Sequence, residues 1–129
     1  MDIKNKRILF IEDEEALRSA FVEAFRHEEC TVLEAADGTD GLRIAQKELP
    51  DLILLDLILP KKSGFEVLKE LRAHFDTKRI PIVVLTNLEG SEDIEQALAH
   101  GATTYLVKAN YSLSDLVTKV KSVLEHNGS

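Results

Sequence analysis

The sequence predicts an α/β fold, a doubly wound sheet of five parallel strands with helices on both faces, and three observations carry that prediction. Five short apolar or β-branched runs alternate with five stretches of helical periodicity. The first, third and fourth runs are almost continuously apolar, as strands covered on both faces are. The 129 residues accommodate five such units and leave no room for a second domain of ordinary size. A single domain over residues 1–129, with no output domain in the chain, is therefore expected, its crossovers right-handed.

In chain order, the first strand is expected over Arg7–Ile11 (RILFI). Ala16, Leu17, Ala20, Phe21, Ala24 and Phe25 then recur at three-and-four spacing, one apolar stripe of a helix. The second run, Thr31–Glu34, is polar at both ends and reads as an edge strand. A helix over 38–48 opens at Gly38, and the third strand covers Leu52–Leu55. A helix over 64–75 opens at Gly64. The fourth run, Ile80–Leu85, contains Pro81, tolerable only near a strand's start, where its missing N–H need not break the ladder. A helix over 91–100 stops at Gly101, before the fifth strand at Thr104–Val107. Leu113, Leu116, Val117, Val120, Val123 and Leu124 form the last stripe, with Ser112 or Ser114 as its cap and Glu125, His126, Asn127 and Gly128 as its ending.

Composition excludes several classes of function. With 16 Lys and Arg against 23 Asp and Glu the formal net charge is −7, which repels DNA and acidic membrane surfaces. Hydrophobic residues at 44% argue against disorder. The N-terminal residues lack an apolar signal segment, and the longest apolar region, Leu52–Leu59, is broken by Asp56 and falls short of the roughly 20 residues that span a bilayer. Lone Cys30 forms no internal disulfide and reads as an ordinary small residue. His27, His74, His100 and His126 lie near helix ends without metal-ligand spacing. A cytoplasmic protein that contacts neither nucleic acid nor membrane is expected.

In doubly wound sheets ligands bind beyond the carboxyl ends of the strands, where strand order reverses. There the sequence sets Glu12 and Asp13 after the first run, Asp56 after the third, Thr86 after the fourth and Lys108 after the fifth. The second run is followed only by Ala35 and Ala36. Three converging carboxylates repel one another and call for cations. Mg²⁺ suits them, because it takes hard oxygen ligands and usually a phosphate oxygen as well. With that ion and Lys108 the pocket is neutral and ready for an anion. Asp56, held at the end of a buried strand, is the best nucleophile toward phosphorus. A plainer reading of Glu12 and Asp13, as acids favoured at a helix N-terminus, leaves Asp56 and Lys108 unexplained.

Glu12 and Asp13, Asp56 with Leu57, Ile58, Leu59, Pro60 and Gly64 after it, Thr86 and Lys108 together resemble the receiver domains of two-component response regulators, over about residues 6–125. The resemblance implies a flavodoxin-like (βα)5 fold with strand order 2-1-3-4-5. It implies that Asp56 accepts a phosphoryl group from a phosphohistidine on a histidine kinase or phosphotransfer protein. Glu12, Asp13, Asp56 and the backbone carbonyl of Ile58 would hold Mg²⁺, Lys108 would pair with phosphoryl oxygens and Thr86 would hydrogen-bond them. Tyr105 matches an aromatic switch position, although aromatics favour strands in any case. The fourth helix, fifth strand and fifth helix, roughly 91–125, would form the face that meets a downstream effector or a second copy. Such a domain catalyses only its own phosphotransfer and slow autodephosphorylation.

Two positions depart from the pattern. Ala109 stands where a proline in a cis peptide is usual, and a cis bond before alanine would cost about 2.5–4 kcal/mol. Asn87 replaces a small residue and is expected to narrow the approach to Asp56. Apolar Ile58 and Leu88 at the positions that tune water attack predict slow loss of the phosphoryl group. Two other classes fit poorly. A phosphohydrolase of the haloacid dehalogenase kind wants a second Asp where Ile58 stands, and a dinucleotide-binding domain wants a glycine loop where IEDEEAL stands. The remaining alternative is a pseudo-receiver, an unphosphorylated interaction module on the same fold.

Overall fold

The computed structural model describes residues 3–87 and 91–127. Five strands, β1 (Arg7–Ile11), β2 (Thr31–Ala35), β3 (Leu52–Asp56), β4 (Ile82–Thr86) and β5 (Thr104–Val107), alternate with five helices. The helices are α1 (Glu15–Arg26), α2 (Gly38–Glu48), α3 (Gly64–Ala73), α4 (Ser91–Ala99) and α5 (Leu113–Asn127). All strand pairs are parallel and the order is β2-β1-β3-β4-β5. The fold is the expected doubly wound one, with the strand order that the resemblance implied.

Side chains of a strand alternate between its faces, so each central strand feeds two cores. Ile8, Phe10, Leu54, Val83 and Leu85 point to one face, where they meet Phe21 and Phe25 of α1 and Leu116, Val120 and Leu124 of α5. Leu9, Ile11, Ile53, Leu55, Ile82 and Val84 point to the other and meet Ala45 of α2, Val67, Leu68 and Leu71 of α3, and Ala97 of α4. This double coverage is why β3 and β4 are buried along their whole length and why their sequences read as unbroken apolar runs. Phe21 joins Phe10 edge-on at 4.9 Å and Phe25 at 4.6 Å between centroids, tying α1 to the sheet. The outer strand β2 keeps Thr31 and Glu34 exposed, as its polar ends predicted.

Boundaries differ from expectation at three strands, of which β3 runs one residue further, to Asp56. β2 extends one residue further, to Ala35, whose carbonyl accepts from Glu12 N–H at 2.9 Å. β4 begins at Ile82, so Pro81 lies just before it; its carbonyl still accepts from Ile53 N–H at 2.9 Å while its missing N–H is not needed. Ser112, not Ser114, caps α5: its Oγ accepts from Asp115 N–H at 3.2 Å and the Asp115 carboxylate accepts from Ser112 N–H at 3.1 Å, a reciprocal box. Gly128, expected in that helix's ending, lies outside the described residues.

Candidate functional site

The sheet register brings the strand-terminal residues together. Ile11 pairs with Leu55, so Glu12 lies level with Asp56; Asp56 pairs with Leu85, and Thr86 pairs with Val107, just before Lys108. The carboxylates of Glu12, Asp13 and Asp56 offer oxygens that all lie within 4.8 Å of one another. Glu12 and Thr86 are fully buried and Asp56 nearly so, whereas Asp13 is exposed. Lys108 reaches in from the end of β5, its Nζ donating to Asp56 Oδ2 at 2.9 Å and to Glu12 Oε1 at 2.5 Å. Burial pulls its pKa down, but the hydrogen bonds to Glu12 and Asp56 outweigh that and hold it above the ordinary lysine value. Three carboxylates therefore face one firmly protonated ammonium, and the excess of negative charge with hard oxygen donors fits a small divalent cation such as Mg²⁺.

The backbone around Asp56 is bound on both sides. Ile58 N–H donates to Asp56 Oδ1 at 3.1 Å, leaving Oδ2 to Lys108. The loop that follows runs to Ser63, the cap of α3, and is pressed between two glycines. A Cβ on Gly64 would lie 2.2 Å from the Asp56 carbonyl, and one on Gly38 would lie 1.9 Å from that of Lys62. Gly38 N–H donates to the Pro60 carbonyl at 3.2 Å and Lys61 pairs with Asp37 at 3.5 Å, so the N-terminus of α2 holds this loop in place. Ile58 itself is 60% exposed beside Asp56.

The other predicted residues are distributed as follows. Tyr105 pairs in register with Val84, two residues before Thr86, so it shares with Thr86 the face of the sheet that α4 covers. Its side chain is partly exposed. The peptide after Lys108 is trans, since no cis bond occurs among the described residues, and Lys108–Asn110 form a single 3-10 turn. Asn87 is exposed and, with Lys108, Ala109, Tyr111 and Leu17, lines a cavity of about 290 Å³ between α1 and the start of α5. It borders an open approach to Lys108 and does not fill it. Leu88 lies outside the described residues.

Sequence reasoning missed Arg18 and Glu34. Arg18, in the second turn of α1, donates from Nη1 to the Glu12 carbonyl at 2.6 Å and from Nε to Glu34 of β2 at 3.3 Å. A charged residue beside an apolar stripe and another on an edge strand each look like solvated surface; an opposite-charge pair 16 residues apart has no periodic signature.

The family model that matches the chain is the response regulator receiver domain, over residues 8–121. The transcriptional regulatory protein CiaR of Streptococcus pneumoniae is 37% identical over 122 residues, 95% of this chain and 53% of that protein. The alkaline phosphatase synthesis transcriptional regulatory protein PhoP of Bacillus subtilis is 35% identical, over 95% of this chain and 50% of that one. The chain thus spans about half the length of the curated relatives it matches. Among solved structures, the chemotaxis response regulator CheY4 of Vibrio cholerae superposes with a TM-score of 0.86 at 30% identity, covering 93% of this chain and 99% of that one. The Mn²⁺-bound form of response regulator Rcp1 superposes with a TM-score of 0.78 at 35% identity, covering 92% and 91%.

Proposed function

The chain belongs to the response regulator receiver family, and from that premise we propose that it is a phosphoacceptor signalling domain whose reacting group is Asp56. The observation that carries the reading is Lys108 bridging Asp56 and Glu12 within a cluster of three carboxylates. The Asp56 oxygen attacks the phosphorus of a phosphohistidine on a histidine kinase or phosphotransfer protein. A P–O bond forms as the P–N bond breaks, and the departing imidazole takes a proton from solvent. Lys108, already charged and pointed at Asp56, shifts its donor hydrogens to the phosphoryl oxygens, and the Thr86 hydroxyl adds another. Glu12, Asp13, Asp56 and the Ile58 carbonyl would hold Mg²⁺, which would supply neutralising charge for the phosphoryl oxygens.

Output follows from the same elements. Thr86 and Tyr105 share one sheet face, so a hydroxyl drawn toward the phosphoryl group frees space that the Tyr105 ring takes, altering the α4-β5-α5 face. That face then meets a downstream effector or a second copy of the chain. Water returns Asp56 to its free form slowly, with apolar Ile58 at the mouth of the site. Other than its own phosphotransfer and hydrolysis the domain catalyses nothing.

The test is intact-mass measurement after incubation with Mg²⁺ and acetyl phosphate, for the wild type and Asp56→Asn. A gain of one phosphoryl group in the wild type alone is expected. No gain in either, with a phosphorylated histidine kinase also tried, would identify a pseudo-receiver that works as an unmodified interaction module.

A further inference from the structure

Glu12 is bound through all four of its polar groups. Its N–H donates to the Ala35 carbonyl at 2.9 Å, and its carboxylate accepts from Lys108 at Oε1 and from Glu14 N–H at Oε2, 3.1 Å away. Its carbonyl accepts from Arg18 at 2.6 Å. That carbonyl and the Asp13 N–H belong to one rigid peptide plane, so whatever fixes the carbonyl fixes the direction in which the chain leaves β1 toward Asp13. Arg18 is suited to the task. Its side chain is only 15% exposed, and Glu34 turns its guanidinium through Nε, leaving Nη1 aimed at Glu12.

We propose that Arg18 is a positioning residue for the cation site: by clamping the Glu12–Asp13 peptide it holds the exposed Asp13 carboxylate within reach of Glu12 and Asp56. The proposal rests on the reading of this cluster as a Mg²⁺ site. Two effects of Arg18 oppose each other. Its charge beside the carboxylates repels a divalent ion, so removing it would tighten binding; its hydrogen bond orders a ligand, so removing it would weaken binding. Glu34 at 3.3 Å offsets most of that charge, and the orienting effect prevails. Loss of a group that orients metal ligands typically weakens metal affinity about 10–100-fold.

The test is calorimetric titration of Mg²⁺ into the full chain, with the Asp13 amide followed by ¹⁵N NMR. Arg18→Ala is expected to weaken Mg²⁺ binding about 10-fold or more and to shift the Asp13 amide before any ion is added. Arg18→Lys, which keeps the charge and loses the fork, is expected to fall between Arg18→Ala and wild type, and decides the matter should the alanine variant not fold. Glu34→Gln keeps an acceptor for Nε and alters only charge, so its affinity is expected to stay within about threefold of wild type. Wild-type affinity in both Arg18 variants would overturn the proposal. So would tighter Mg²⁺ binding in Arg18→Ala together with weaker binding in Glu34→Gln, which would make the field the cause. A wild type that binds no Mg²⁺ is a different failure, that of the cation-site reading itself.

Discussion

The two edges of the sheet handle charge in opposite ways. At the amino edge, Arg72 of α3 donates to the carbonyls of Gly101, Lys78 and Ile80 at 2.8, 3.1 and 2.7 Å, lacing the loops that enter β4 and β5. Burial presses its pKa below the ordinary arginine value, but the guanidinium stays charged and its donors are met by dipoles. Arg7 there is matched by Glu48, and its N–H by Asp51. At the carboxyl edge, three carboxylates converge on one ammonium. A fold can satisfy its buried charges when stability is all that is asked of them. The edge where it leaves a surplus of one sign is where a ligand completes the balance.

Four measurements break or sharpen this contrast. The largest effect is expected for Lys108→Ala. Its rate of phosphorylation by acetyl phosphate, followed by intact mass, should fall about 100–1000-fold, because the ammonium hydrogen-bonded to Asp56 is gone. Arg72→Ala should do the reverse, lowering unfolding free energy by about 3 kcal/mol in urea titration, as buried carbonyls lose their donor, while Mg²⁺ affinity stays at the wild-type value. Unchanged stability in that variant would erase the distinction between the edges. Third, Mg²⁺ at 100 times its Kd should stabilise the wild type by about 2.7 kcal/mol, and Asp13→Asn should lose most of that gain, as thermal melting with and without the ion will show.

The smallest effect concerns Asp37, the cap of α2 that also braces the loop after Asp56. The Asp40 N–H chiefly, with help from Lys61 and against burial, holds its carboxyl below the usual aspartate value. A carboxyl whose folded pKa is depressed stabilises fully above its unfolded pKa, near 3.9, and loses that contribution as pH falls through the lower folded value. Asp37→Asn, which keeps a capping oxygen, should therefore melt below wild type at pH 7 and converge with it in acid. An equal gap at pH 7 and at acid pH would show that charge at this cap is immaterial.

What was legible in the sequence was whatever recurs or ends at a boundary. β3 and β4 announced themselves as unbroken apolar runs because both faces are covered, and the α1 and α5 stripes because one face is. Asp56, Thr86 and Lys108 were legible because parallel strands all end on one side, so chain position alone assembles them. Pro81 displaced the start of β4 because a residue without an N–H sits comfortably just outside a ladder, and apolar character does not mark that limit. The bonds that tune the site were not legible. Arg18 to Glu34, Asp37 to Lys61 and Arg72 to Gly101 join residues 16, 24 and 29 positions apart, and each half alone reads as solvated surface.

The complete tethering of Glu12 has a consequence for timing. A ligand group that must be gathered from a mobile loop makes each encounter wait on a search through backbone and rotamer states. Here the ordering was done when the chain folded, since the N–H, carbonyl and both carboxylate oxygens of Glu12 are already engaged. A divalent ion taking Glu12 as a ligand, as proposed, would then associate at a rate set by collision and by shedding of hydration water. Responsiveness is in this sense a by-product of folding, settled before any signal arrives.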